Sequence, residues 1–241
     1  MVVSRLFMRL AVVLLLSAAA AAQESLLQRL LRIAGLTAAP SQLRGPAEAV
    51  APGNIWIVPT DRGTPKALTL DGGYTSPIFS TDGRVYALKG DTLVRLPQET
   101  GAGVAVHKVP RALKLVGFDS ANADELVVLL DSLGFLASPL GVVSLRSGGV
   151  TPLPVDPASD EQRRMLAQIR GQERLYGRTS VYTRTERRGG VARNQEWSDV
   201  FIRAGDAAPR NVSACNGVDC VQPALSPDGR SIVFIKTAAA R

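Results

Sequence analysis

The sequence predicts an all-β protein, a small β-propeller of about four blades with an N-terminal amphipathic helix and one inserted helix. Three observations lead to this prediction. Short strand-like runs follow one another from Asn54 onward, one turn motif occurs twice, and a second segment recurs in the same order relative to that motif. A fifth blade, an incomplete ring and a partner that completes the ring are the alternatives.

The strand-like runs are short, rich in β-branched and aromatic residues, and separated by turn residues. They read NIWIVPT, RVYAL, DTLVRLP, GVAVHKV, LKLVGF, ELVVLL, GVVSLR, SVYTRT, DVFIRA and SIVFIK. Many closely spaced strands of this kind indicate a sandwich, a barrel or a propeller. Repetition favours the propeller among these three.

The turn motif in SPIFSTDGRV (76–85) recurs in QPALSPDGRS (222–231), at an offset of 146 residues. Aspartate supplies an acceptor for backbone amides, glycine adopts positive φ, and proline presets φ, so the motif predicts tight hairpin turns followed by a solvated arginine. The residues predicted to build these structural turns are Pro77, Ser80, Asp82, Gly83 and Arg84 in the first copy, and Pro223, Ser226, Pro227, Asp228, Gly229 and Arg230 in the second.

A second segment recurs upstream of each motif, where NIWIVPTDRGTPKALT (54–69) matches DVFIRAGDAAPRNVS (199–213). The offset between the motifs contains three periods of about 49 residues, which lies within the range of propeller repeats. The last unit stops after Lys236, and the strands that it lacks are present before the first motif. The sequence therefore predicts that both ends of the chain share one sheet.

The unit of a strand, a turn and Pro-x-hydrophobic-Ser-Pro-Asp-Gly-Arg resembles the WD-like β-propeller repeat of the TolB family. The copy at 226–230 is intact, whereas Thr81 stands where the family has proline, and the middle of the chain lacks the motif. The resemblance implies a periplasmic, non-catalytic propeller that binds another protein of the cell envelope.

The N-terminus has the pattern of an export signal. Arg5 and Arg9 precede an apolar run from Leu10 to Ala22, which is shorter than the roughly 20 residues needed to span a bilayer. The location is therefore predicted to be periplasmic or secreted, with no stable membrane span after cleavage. The predicted domains are a signal peptide (1–22), an amphipathic helix and linker (23–53), and the β-propeller (54–241).

The charge of the mature chain is mildly basic. Cleavage removes two arginines and no acidic residue, which lowers the formal net charge from +7 to +5. No nucleic acid partner is predicted, and the arginine-rich stretch 184–193 is interpreted as a solvated hairpin.

Two helices are predicted. In ESLLQRLLRIAG (24–35) the leucines share one face, so this short helix is expected to dock on its own domain, on a partner or on a membrane surface. The second helix covers 160–170, where Ser159 and Gln162 have the spacing of a capping box.

Cys215 and Cys220 flank an Asn-Gly turn signal, so the chain is expected to double back and join them in a disulfide. Two thiols and one distant histidine do not complete a zinc site. No metal or cofactor is predicted.

The sequence lacks a recognisable catalytic constellation. The sole histidine, His107, lies in an alternating run that predicts a solvent-facing strand position, and no Gly-x-Ser-x-Gly elbow accompanies it. The function predicted is therefore a protein-binding scaffold. The alternative is a small exported hydrolase or lactonase that uses carboxylates at the propeller channel, for which Asp119, Asp124 and Glu125 are the candidates.

Overall fold

The computed structural model describes residues 51–119, 122–131, 140–153, 174–188 and 195–237. These residues form an all-β structure of sixteen strands in three antiparallel sheets. The predicted signal peptide and the two predicted helices lie outside the described residues. Within the residues described, no helix is long and apolar enough to cross a membrane.

The largest sheet has eight strands and contains both ends of the described chain. Its strands are β1 (Gly53–Pro59), β2 (Lys66–Ala67), β3 (Tyr74–Phe79), β4 (Val85–Lys89), β5 (Thr92–Arg95), β6 (Val104–Lys108), β15 (Cys220–Leu225) and β16 (Ser231–Thr237). Their order is β15, β16, β1, β3, β4, β5, β6, and β2 pairs with β1. The apolar run in β16 fits this central position, because both of its faces are buried.

The other two sheets are four-stranded meanders in which each strand pairs with the next along the chain. The first consists of β7 (Ala112–Phe118), β8 (Glu125–Leu130), β9 (Leu140–Ser144) and β10 (Val150–Leu153). The second consists of β11 (Arg174–Tyr176), β12 (Thr179–Arg188), β13 (Gln195–Ala204) and β14 (Arg210–Asn211).

Strands from the two chain ends lie side by side. β1 pairs with β16 over seven residue pairs, from Gly53 opposite Thr237 to Pro59 opposite Ser231. The prediction that the two chain ends share a sheet is therefore confirmed.

The eight-stranded sheet divides into two units. Between β1 and β3 only Gly53 and Tyr74 are paired, whereas neighbouring strands within each unit pair over two or more residues. The described chain thus contains four antiparallel units of four strands, and none of its three sheets closes on itself. The units are β15-β16-β1-β2, β3 to β6, β7 to β10, and β11 to β14.

Two apolar clusters pack the units together. One joins both units of the large sheet to β7, β8 and β9, with Ile55, Leu88 and Leu115 each fully buried. The other joins β1, β15 and β16 to β12 and β13, and it includes Val200 and Phe234. Burial of one such side chain is worth about 1.5–3 kcal/mol, so these clusters contribute substantially to the stability of the packed sheets.

Candidate functional site

The two copies of the motif form the same tight turn, one between β3 and β4 and the other between β15 and β16. The Gly83 N–H donates to Ser80 O at 3.0 Å, and the Gly229 N–H donates to Ser226 O at 2.9 Å. Both glycines have positive φ, 80° and 72°, in the left-handed region where a Cβ would be strained. The two turns are therefore built in the same way.

The aspartate of each turn is held by the serine hydroxyl. Ser226 Oγ donates to Asp228 Oδ1 at 2.5 Å, and Ser80 Oγ donates to Asp82 Oδ1 in the first turn. Hydrogen bonds from these hydroxyls, followed by weaker effects of nearby backbone amides and the next arginine, lower the pKa of both carboxyls. Both carboxylates thus serve to close a turn.

The prolines Pro77 and Pro223 do not lie in the turns, contrary to the sequence prediction, although Pro227 does. Both occupy β-bulges inside β3 and β15, where two residues face one on the neighbouring strand. The preceding residues, Ser76 and Gln222, have φ of 53° and 52°. Because a bulge leaves one residue outside the ladder, it tolerates a residue without an N–H.

A third turn, between β7 and β8, has the same backbone pattern without the motif. The Asp119 N–H donates to Glu125 O at 3.0 Å, and the Asn122 N–H donates to Asp119 O at 3.2 Å. Asp119 thus occupies the position of the motif serine, and it is 1% exposed. Asp124 in the same turn forms an ion pair with Arg146 at 2.6 Å. Asp119 and Asp124 therefore lie in the connection between β7 and β8, and Glu125 is the first residue of β8.

His107 is half-buried and not solvent-facing, so that prediction is wrong. Its Nε2 lies 2.6 Å from Leu145 O in the turn after β9, and a Cβ added at Gly148 in the same turn would lie 2.6 Å from its Nδ1. The turn between β9 and β10 packs against the ring, which the sequence of β6 alone does not reveal. Among the residues that the structure describes, no group of three or more His, Cys, Asp or Glu side chains could hold a metal.

The arginine-rich stretch lies on the hairpin of β12 and β13, whose residues 189–194 fall outside the described chain. Arg187 pairs with Glu196 across the hairpin at 3.1 Å, and both side chains are largely exposed. The Arg184 guanidinium lies 3.9 Å from the centroid of the Phe201 ring. Within the described part of this stretch, Arg184 and Arg187 therefore contact residues of their own hairpin.

The second repeated segment forms a side-chain clamp beside β1. The Ile55 N–H donates to Thr69 Oγ1 at 2.9 Å, and Thr69 Oγ1 donates to Asn54 Oδ1 at 3.4 Å. The Leu68 N–H donates to Ile55 O at 2.8 Å, and the Gly72 N–H donates to Asn54 Oδ1 at 2.8 Å. The clamp fastens the segment after β2 to the start of β1.

The matching residues on β13 repeat this clamp with a carboxylate in place of the amide. The Val200 N–H donates to Ser213 Oγ at 2.8 Å, and Ser213 Oγ donates to Asp199 Oδ1 at 2.9 Å. The Val212 N–H donates to Val200 O at 2.9 Å, just as Leu68 does in the first clamp. The two segments that match in sequence therefore match in hydrogen bonding as well.

Asp199 is 2% exposed and accepts four hydrogen bonds. The donors are Ser213 Oγ (2.9 Å), the Cys215 N–H (2.6 Å), Trp197 Nε1 (3.0 Å) and Asn211 Nδ2 (2.9 Å). Burial by itself raises the pKa of this carboxyl, but the four donors outweigh burial and hold its pKa below the ordinary 3.8. The carboxylate is therefore ionised and fully engaged.

Cys215 and Cys220 form the predicted disulfide, which closes the loop 215–220, here called the cystine loop. Asp219 Oδ1 accepts the Ser198 N–H from β13 at 2.8 Å, and Asp219 O accepts the Thr237 N–H from β16 at 2.9 Å. Together with the Cys215 bond to Asp199, these contacts join two sheets. We call Asp199 and the cystine loop the inter-sheet joint.

The first strands of three units are also linked at equivalent positions. Gln222 Oε1 on β15 accepts the Ser76 N–H of β3 at 2.6 Å, and Ser76 Oγ accepts the Leu115 N–H of β7 at 2.7 Å. Tyr86 of β4 pairs with Ile78 of β3, and its ring lies 5.0 Å from that of Phe118 on β7. These contacts join the β3–β4 hairpin to β7.

Sequence reasoning missed the role of Asp199. The sequence repeat could have indicated this role, because Asp199 aligns with Asn54 when the two repeated segments are superposed. Its hydrogen-bond donors come from β13, from β14 and from the segment that leads to Cys215, and their convergence on one carboxylate is visible only in the structure.

Comparison with known proteins does not assign the chain to a family. A scan against protein-family models found no match, and a search of curated proteins found no match either. A functional assignment therefore depends on the residues and contacts described above.

Proposed function

We propose that the chain is an exported, TolB-like β-propeller that acts as a non-catalytic protein-binding scaffold in the cell envelope. The proposed architecture is supported by the four antiparallel units, by the unit shared between the chain ends, and by the links between first strands at equivalent positions. In the proposed ring of four such units, β7 to β10 would be the neighbours of β11 to β14.

The observation that carries the non-catalytic part of the proposal is the engagement of the carboxylates. A hydrolase needs an acid or base that is free to exchange a proton with substrate. Asp119 is buried at the head of a turn, Asp124 is paired with Arg146, and Asp199 accepts four hydrogen bonds. Asp124 and Asp199 therefore have structural partners in place of a substrate, and Asp119 is buried within its turn.

The disulfide supports the export part of the proposal. Its sulfurs belong to residues that are 5% and 0% exposed, and such a buried bond persists in an oxidising compartment. An independent argument for export comes from the sequence of residues 1–22, in which two arginines precede an apolar run.

Affinity capture from an envelope extract tests the proposal. The tagged chain 23–241 is compared with a variant that lacks residues 23–36, and captured proteins are identified by mass spectrometry. We expect at least one envelope protein whose capture is abolished by excess untagged chain. No competable capture would contradict the scaffold proposal, and equal capture by both chains would locate binding on the sheets and not on the predicted helix.

A second measurement separates the scaffold from the enzyme. The same chain is assayed against a panel of esters and lactones, with Asp124→Asn as the matched variant. We expect no turnover above the uncatalysed rate. Turnover that disappears in the variant would establish the enzyme and overturn the proposal.

A further inference from the structure

Asn216 and Gly217 form the tip of the cystine loop, and they are the only Asn-Gly pair in the chain. Asn216 is exposed, and the two residues have φ of 48° and 99°. Among the residues described, neither the Asn216 side chain nor the Gly217 N–H has a hydrogen-bond partner. Within the described structure, no hydrogen bond therefore restrains the Asn216 side-chain amide or the Gly217 N–H.

The other asparagines of the described chain are held. Asn54 Oδ1 accepts the Gly72 N–H at 2.8 Å, and Asn122 Oδ1 accepts the Asp124 N–H at 3.2 Å. Asn211 uses both ends of its amide, with Nδ2 donating at 2.9 Å and Oδ1 accepting at 3.1 Å. None of these three precedes a glycine. They provide controls within the same molecule.

We propose that Asn216 is a site of spontaneous deamidation, a covalent modification that needs only water. The Gly217 nitrogen attacks Asn216 Cγ, and the new C–N bond forms as the bond from Cγ to Nδ2 breaks. Ammonia leaves with the proton of the Gly217 amide. Water then adds to either carbonyl of the five-membered imide and opens it to aspartate or isoaspartate. Glycine favours the attack because no Cβ obstructs its nitrogen.

The modification alters the inter-sheet joint. Both products add a negative charge to the loop, and isoaspartate also lengthens the backbone inside the ring closed by the disulfide. That ring positions Asp219 against Ser198 at 2.8 Å and Cys215 against Asp199 at 2.6 Å. A longer ring displaces these contacts, so the isoaspartyl form is less stable than the native one. This inference does not depend on the proposed function.

Peptide mapping tests the proposal. The purified protein, with its disulfide intact, is kept in mildly alkaline buffer, digested, and analysed by mass spectrometry with enzymatic labelling of isoaspartate. We expect the mass change of amide to acid at Asn216, with isoaspartate at the same position, and no change at Asn54, Asn122 or Asn211. The Asn216→Gln variant, altered only at an exposed side chain, is expected to stay unlabelled. An unmodified Asn216, or equal modification at Asn211, would overturn the proposal.

Thermal unfolding separates charge from backbone. The Asn216→Asp variant carries the new charge without the longer backbone, so it is the matched control for the aged, isoaspartate-containing protein. We expect the aged protein to melt below this variant. Equal melting temperatures would refute the effect on the joint.

Discussion

Replacement of Asp199 by asparagine tests the inter-sheet joint. An amide oxygen at Oδ1 can still accept the Ser213 and Cys215 donors, but an NH₂ group takes the place of Oδ2. Trp197 Nε1 and Asn211 Nδ2 then lose the acceptor that they contact at 3.0 and 2.9 Å. If both donors were fully buried, the loss of their acceptor would cost about 2–6 kcal/mol, at about 1–3 kcal/mol each.

The exposure of the two donors narrows this range. Trp197 is only half-buried and Asn211 is exposed, so water can satisfy part of what the carboxylate releases. We therefore expect Asp199→Asn to lower the free energy of unfolding by about 2–3 kcal/mol, near the lower limit. The apolar contacts of Val200 and the disulfide are unchanged, which keeps the fold intact.

Urea unfolding of the oxidised protein, followed by far-ultraviolet circular dichroism, measures this difference at constant m-value. The matched control is Asp206→Asn, which removes the same charge from the turn after β13. The Asp206 side chain is fully exposed and lies 3.6 Å from Arg178, so no measurable change is expected. If both variants unfold at the same urea concentration, the four hydrogen bonds of Asp199 do not hold the joint.

The remaining predictions concern pH, the disulfide and the shared sheet. The folded state lowers the pKa of Asp199 from 3.8, so the ionised carboxylate stabilises the fold above that ordinary value, and this stabilisation is lost as pH falls through the folded-state pKa. Urea titrations at decreasing pH should therefore show a shrinking difference in free energy of unfolding between wild type and Asp199→Asn. Changing Cys215 and Cys220 together to serine is expected to cost about 2 kcal/mol in urea unfolding, and an unchanged midpoint would contradict this. Ile55→Ala, at a site 0% exposed on β1, is expected to cost about 2–5 kcal/mol; a wild-type midpoint would exclude β1 from the core.

The features that the sequence predicted correctly depend on local chemistry or on repetition. The Asn-Gly pair between Cys215 and Cys220 predicts a reversal that brings the sulfurs together, and short-range geometry suffices for that. The pairing of β1 with β16 followed from a strand missing at one end of the repeat and present at the other. A sequence repeat can thus predict that strands distant in the chain pair with each other, even when no contact between them is known.

The features that it predicted wrongly depend on neighbours that are distant in the chain. Pro77 and Pro223 were assigned to turns because proline favours turns, yet a bulge in each strand accommodates them. His107 was assigned to solvent from the alternation in β6, but the packed turn at Gly148 belongs to another sheet. Alternation of apolar and polar residues predicts on which face of a strand a side chain lies, but it does not predict which other elements pack against that face.

The clamps at Asn54 and Asp199 allow the contributions of charge and donor number to be separated. If the number of hydrogen-bond donors around Asp199 accounts for the stability of the inter-sheet joint, a negative charge at position 54 should not raise the free energy of unfolding. Within the described residues, Asn54 Oδ1 accepts only from Thr69 Oγ1 and the Gly72 N–H. Asn54→Asp keeps both bonds on a half-exposed side chain, so we expect its free energy of unfolding in urea experiments to lie within about 1 kcal/mol of the wild-type value. Stabilisation by Asn54→Asp as large as the loss in Asp199→Asn would instead show that the negative charge itself stabilises this position. In that case the charge of Asp199, and not the number of its hydrogen-bond donors, would account for its contribution to stability.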